Sequence, residues 1–246
     1  MSTASHPVDI AAARATIVAR IGEAAARAGR DPAGVEVVAI TKTFPTPVIL
    51  EAVAAGFRTL AENRVQERAA KVAELDALAT FPAGEAPRWH LVGPLQSNKA
   101  RRAVELFDVI ETVDSVDLAA RLSRLAGELR GGRPLPILLQ VNVDEDDAKS
   151  GYAPEEVDRE LPAILDLPNL SVDGLMTVGR YTEAPEGSRS TFIALRRLSE
   201  ELRGRHPGLG PALSMGMSRD YPIAVEEGAT LVRLGRAIFG DRPTVG

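Results

Sequence analysis

Eight short runs of apolar and β-branched residues recur along the chain, and a helical pattern follows each of them but the last. The runs are 35–40, 59–62, 89–93, 109–113, 137–143, 172–178, 212–217 and 231–235. Runs this short, bounded by Gly and Pro, predict strands buried on both faces. Helical patterns occupy 47–55, 65–78, the stretch from the Ser97/Asn98 cap to Leu106, 115–130, 154–165, 185–203 and 219–227. Gly56, Gly131, Gly204 and Gly228 sit where four of these helices should stop. Residues 10–30 predict one more helix, with Ile10, Ile17, Val18, Ile21 and Ala25 on one stripe.

Regular βα alternation means parallel strands joined by right-handed crossovers. Eight such units in 246 residues is the arithmetic of an α/β fold of one kind, a (β/α)8 TIM-type barrel. An open doubly wound sheet is the alternative, but it usually carries a Gly-rich dinucleotide turn after its first strand, and none occurs here. The eight units consume the chain, so residues 1–246 are expected to form a single domain. The extra N-terminal helix is then available to cover the barrel bottom.

Charge and composition remove several functions. Lys plus Arg number 29 and Asp plus Glu 34, a net charge of −5, which speaks against nucleic-acid binding. With no Cys there is no disulfide, thiol catalysis or Cys-ligated metal. His6, His90 and His206 are too far apart for a His-based metal site. No stretch approaches the ~18 apolar residues of a membrane span, and the N-terminus lacks a basic region followed by an apolar block, so no secretory leader is expected. The Ala- and Arg-rich start faintly suggests a transit peptide, but Asp9 and Glu23 argue for a folded helix. The expected location is cytoplasmic, with no membrane partner.

Barrels of this type place their sites at the C-terminal ends of the strands. Lys42 follows the first strand on the same face as Val38 and Ile40. If those two fill the barrel, Lys42 points into its mouth; a lysine simply emerging into solvent would read the same way. A buried amine is nucleophilic toward carbonyls, because desolvation lowers its pKa. Ser214, Gly216 and Ser218 end the seventh strand, and Gly235 ends the eighth; these two loops are the recurrent phosphate site of such barrels. Closure makes strand 8 the neighbour of strand 1, bringing Lys42, Arg233 and the phosphate loops together. A carbonyl-reactive lysine beside a phosphate cup describes a pyridoxal 5'-phosphate (PLP) site. Glu62 with Asn63, and His90, fit a mouth lining and a structural role equally well. The acidic run Asp144–Asp147 reads as a solvated loop, since Lys149 stands where a calcium loop needs Gly.

Several stretches carry a resemblance. They are Val38-Ala-Ile-Thr-Lys-Thr43, Ala61-Glu-Asn-Arg-Val-Gln-Glu67, Trp89-His-Leu-Val-Gly-Pro-Leu-Gln-Ser-Asn-Lys99, Gln140-Val-Asn142 and Lys149-Ser-Gly151. Gly174-Leu-Met176, Leu213-Ser-Met-Gly-Met-Ser218, Val232-Arg-Leu-Gly235 and Ile238-Phe-Gly240 continue the match in order. In these the chain resembles the PLP homeostasis proteins, barrels similar to the N-terminal domain of alanine racemase. The resemblance implies Lys42 as the Schiff-base lysine. It implies a phosphate site from Ser214, Met215, Ser218, Gly235 and Arg236, mostly through backbone N–H groups, and Arg233 near the pyridine ring; Asn63 and His90 complete the expected set. Phe44, Leu60-Ala61 and Arg64 depart from the usual pattern and bear on packing near the cofactor.

A non-catalytic PLP-binding protein and a PLP-dependent racemase both fit this barrel. Racemisation needs a base on each face of the Cα carbanion. In the racemases of this barrel type a separate β domain supplies a Tyr, and no such domain fits here. Tyr152, Tyr181 and Tyr221 lie outside every matching stretch. An Arg at the pyridine nitrogen also keeps the ring a poor electron sink. The binding protein is therefore the expectation, with PLP and PLP-dependent apoenzymes as its partners. A phosphosugar enzyme would explain the loops but not the other stretches.

Overall fold

The computed structural model describes residues 8–78, 81, 86–146, 148–180 and 182–241, so His6, Asp147 and Tyr181 lie outside the described residues. Eight parallel strands close into a barrel in sequence order: β1 (Glu36–Ile40), β2 (Thr59–Glu62), β3 (Arg88–Leu91), β4 (Val109–Val113), β5 (Leu135–Gln140), β6 (Leu170–Met176), β7 (Ala212–Met217) and β8 (Leu231–Leu234). Strand β8 closes onto β1, with Val38 opposite Arg233 and Ala39 opposite Leu234.

The strands divide their side chains between two cores. Val38, Ile40, Ala61, Leu138, Met176 and Leu231 fill the barrel interior. The alternate positions, such as Ala39, Leu60, Leu91, Ile110, Leu139 and Met215, pack outward against the helices. Every strand is buried on both faces, which is why the runs show no polar alternation.

The helices are α1 (Ile10–Arg27), α2 (Thr46–Ala54), α3 (Val65–Leu78), α4 (Ala100–Leu106), α5 (Val116–Leu129), α6 (Pro154–Leu165), α7 (Arg189–Arg205), α8 (Tyr221–Glu226) and α9 (Arg236–Phe239). Asp9 caps α1 by accepting from Ala12 N at 2.9 Å, and Ser115 caps α5 through Leu118 N. No side-chain cap is present at Ser97/Asn98; these residues form a 3-10 turn that leads into α4.

Further expectations change. The eighth strand is followed by a helix after all, the single turn α9. Helix α1 packs against α8, α9 and α2, on the flank of the barrel rather than across its bottom. It takes the place that a full-length eighth helix would hold. Ile10, Ile17, Ile21 and Ala25 are buried as the stripe implies, but Val18 is half exposed.

Candidate functional site

At the end of β1 the chain is held tightly. Thr41 is fully buried, and its hydroxyl donates to Glu62 Oε1 at 2.7 Å. Lys71 Nζ from α3 donates to the same carboxylate at 2.6 Å and to the Thr41 carbonyl at 2.9 Å. Thr43 then adopts φ 69°, a left-handed conformation that is uncommon for a β-branched residue. Between them Lys42 continues the inward face of Val38 and Ile40 and lines a cavity of about 500 Å³ at the barrel mouth.

The same cavity takes in Ser218, Arg219 and Asp220 after β7, and Arg233, Gly235 and Arg236 from β8 and its turn. Arg180 and Thr182 reach it from the segment after β6. Five cationic side chains (Lys42, Arg180, Arg219, Arg233 and Arg236) and two carboxylates (Asp220 and Asp241) line it, in a chain whose net charge is −5. Charge of one sign gathered in a concave site attracts an anion. Asp220 is engaged by the backbone, accepting from Met217 N at 2.6 Å.

Glycine is required where β7 turns. Gly216 has φ 88°, and a Cβ there would collide with the Ala224 methyl of α8. The turn brings Ser218 against α9, where its Oγ accepts from Ala237 N at 3.1 Å. Phe44 packs on Phe239 of α9 with ring centroids 4.7 Å apart. The departure at position 44 therefore fills the space between the β1 loop and α9.

Lys42, Ser218, Arg233, Gly235 and Arg236 thus share one cavity, and the other expected residues do not line it. Ser214 is fully buried in the barrel; its hydroxyl donates to Glu111 and accepts from Arg233 Nη1 at 2.7 Å. Met215 points the other way, into the core between strands and helices. His90 is buried in the interior with Nδ1 2.6 Å from Glu111 Oε1. Asn63 follows β2, and its carbonyl approaches Gly93 so closely that a Cβ there would collide with it. Glu62 serves Thr41 and Lys71 instead of the mouth; burial raises its pKa, opposed by Lys71. Asp144 is not a solvated residue, since it accepts from Thr191 Oγ1 at 2.6 Å and from Lys149 Nζ at 3.1 Å.

Comparison with known proteins agrees with this geometry. The family described as alanine racemase, N-terminal domain, matches residues 11–243. The pyridoxal phosphate homeostasis protein of Pseudomonas aeruginosa is 44% identical over 228 residues, covering 93% of this chain and 94% of that protein. The chain belongs to the pyridoxal phosphate homeostasis protein family. The structure of PipY of Synechococcus elongatus PCC7942 with PLP bound is 42% identical, with a TM-score of 0.77, covering 91% of this chain and all of PipY. Alanine racemase of Clostridium difficile 630 is 12% identical at a TM-score of 0.67; 93% of this chain aligns with 57% of that one, a likeness of fold alone.

Sequence reasoning missed Arg180, Arg219 and Glu111. Arg219 follows Ser218 in an expected phosphate loop, so proximity was its signal. Glu111 had a stronger one, as a charged residue inside the buried run Val109–Val113.

Proposed function

We propose that this chain binds PLP in the cavity at the ends of β1, β7 and β8 and holds it in the cytoplasm for PLP-dependent apoenzymes, without turnover of its own. The observation that carries this reading is that Lys42 and the buried guanidinium of Arg233 face one cavity closed by the β7 and β8 turns. The donor set suits the group: a primary amine for the aldehyde, cations and a hydroxyl for the phosphate, and a fixed positive charge for the ring.

In this reading Lys42 is the Schiff-base lysine, and PLP supplies an electrophilic carbon and an electron-withdrawing ring. The phosphate falls to Ser218, Gly235 and Arg236, joined by Arg219. Arg233 would serve the pyridine nitrogen, where its fixed charge would disfavour protonation. Of the tyrosines among the described residues, Tyr152 is buried in the helix-facing core and Tyr221 at the start of α8, and neither lines the cavity, which supports holding over racemisation. Residues 1–246 act in this as one binding domain.

The test is an absorbance spectrum of the purified protein, followed by borohydride and peptide mass analysis. A visible band and a reduced adduct on the Lys42 peptide are expected, and Lys42→Ala should lose both while remaining folded. An adduct on another lysine would overturn the assignment.

A further inference from the structure

Behind Arg233 the barrel interior carries charged groups that cofactor binding alone leaves unexplained. Glu111, in the middle of β4, is fully buried. Its Oε1 meets His90 Nδ1 at 2.6 Å, and its Oε2 accepts from Ser214 Oγ at 2.5 Å. Ser214 Oγ accepts from Arg233 Nη1 at 2.7 Å, and Arg233 Nη2 donates to the Thr177 carbonyl at 2.6 Å. One unbroken chain of hydrogen bonds therefore runs through β3, β4, β7 and β8. His90 is 2% exposed, and its Nε2 has no hydrogen-bond partner among the described residues. His90 also lines a second cavity, of about 320 Å³, at the N-terminal end of the barrel. Water can satisfy Nε2 there, since a buried donor or acceptor left unpaired is costly.

We propose that Glu111 and His90 are positioning residues for Arg233, and that proton uptake by His90 from the N-terminal cavity controls how much of the Arg233 charge reaches the cofactor site. This rests on the PLP reading above. With His90 neutral, Glu111 and Arg233 balance each other. With His90 protonated, Glu111 is shared between two cations, and the interior gains one positive charge. In a low-dielectric interior that charge is weakly screened. The charged groups around His90 are Glu111 from β4, Glu36 from β1, Asp173 from β6, Arg88 on its own strand and, through Ser214, Arg233 from β8.

A neighbouring charge moves a titration by about 1–3 units. Glu111→Gln removes the negative charge facing Arg233. The protonated, more cationic form of the bound cofactor is then disfavoured, so the pH midpoint of its absorbance spectrum should fall by about one unit or more. His90→Asn keeps an amide donor toward Glu111 but cannot take up a proton. It should therefore remove the pH inflection that proton uptake by His90 contributes. His90→Asn decides the matter if Glu111→Gln does not fold.

The experiment is a pH titration of the absorbance spectrum of PLP-loaded wild type and these variants, with circular dichroism as the control for folding. A lowered midpoint in Glu111→Gln, with the inflection lost in His90→Asn, supports the proposal. A wild-type spectrum that shows PLP but does not move with pH, or one that moves identically in the variants, overturns it and leaves the cofactor reading intact. A wild type that takes up no PLP overturns both.

Discussion

Lys71 Nζ lies 2.6 Å from Glu62 Oε1 and 2.9 Å from the carbonyl oxygen of Thr41, the residue just before Lys42. An ion pair between β2 and α3 is thereby fastened to the end of β1. Glu62 is fully buried and the Lys71 side chain is 13% exposed, so the pair forms in a region poor in water. Thr41 is held from one side and Thr43 is turned into the left-handed region on the other. Lys42 thus leaves the strand from a backbone with little freedom, which limits where its amine can reach.

Lys71→Met removes the cation and strands the Glu62 carboxylate. Breaking a buried pair from one side costs about 3–5 kcal/mol. Urea unfolding should show that loss, and Lys71→Met with Glu62→Gln should recover much of it by removing the buried charge. PLP affinity should fall in the single variant, because the Thr41 carbonyl loses its donor. Full stability in Lys71→Met would show that the pair does not hold this strand end.

Gly216→Ala tests the turn after β7. The new methyl would meet Ala224 in a backbone at φ 88°. Strain of this kind costs about 1–3 kcal/mol, or a fall of roughly 2–12 °C in Tm for a domain of this size. Weaker PLP binding should accompany it, because Ser218 follows in the same turn. A Tm within a degree of wild type would mean that the turn relaxes freely.

The barrel was legible because its signal is periodic and local, with eight buried runs, each but the last followed by a helical pattern. What escaped was either shorter than a period or set by distant residues. Helix α9 is one turn long and cannot show periodicity. The fifth strand was expected to reach Val143 but ends at Gln140. Asn142 turns the chain there by bonding both the N–H and the carbonyl of Asp146. In the site, parity with Val38 and Ile40 located Lys42, a purely local inference. Ser214 stood out as a site residue, but its hydroxyl faces Glu111, 103 positions away, and no local pattern announces that contact.

Acid should separate wild type from Glu111→Gln in a defined direction. Burial pushes the Glu111 carboxyl up, but His90, Arg233 and Ser214 outweigh it and hold the carboxyl below its ordinary range. A carboxylate with a lowered folded-state pKa stabilises the fold fully above its unfolded value of about 4.3, and this stabilisation is lost as pH falls through the folded value. Glu111→Gln should therefore be less stable at pH 7 and approach wild type below about pH 4. Urea unfolding at several pH values measures the gap. A gap that stays constant into acid would deny Glu111 its ionised role.

Pyridoxal without its phosphate should bind far more weakly than PLP. The cationic lining at Arg219 and Arg236 and the turns after β7 and β8 lose their charged acceptor. Charge-assisted hydrogen bonds contribute about 1.5–3 kcal/mol each, so losing two or three means at least a ~100-fold drop. Absorbance titration of both vitamers against the cofactor-free protein measures the ratio. Equal affinities would place the phosphate elsewhere.

The PLP-loaded protein should show no appreciable amino-acid racemisation. Moving a proton from one face of Cα to the other needs a group on each face, and a positioned acid or base contributes ~10²–10⁴-fold. In the proposed site Lys42 would be one such group, on a tether held at Thr41 and Thr43. The phenols of Tyr152 and Tyr221 are both buried away from the cavity, and burial raises both pKa values, so neither is an available base. In the proposed site Arg233 would work in the same direction, since a guanidinium beside the ring would disfavour the protonated pyridine that best accepts electrons. Chiral analysis of L-alanine and other amino acids incubated with the loaded protein reads the outcome directly. Turnover well below about one per second, the low end of ordinary enzymes, is expected. Faster turnover would overturn the holding role, and substitution of Tyr152, Tyr181 and Tyr221 in turn would then identify the second proton carrier.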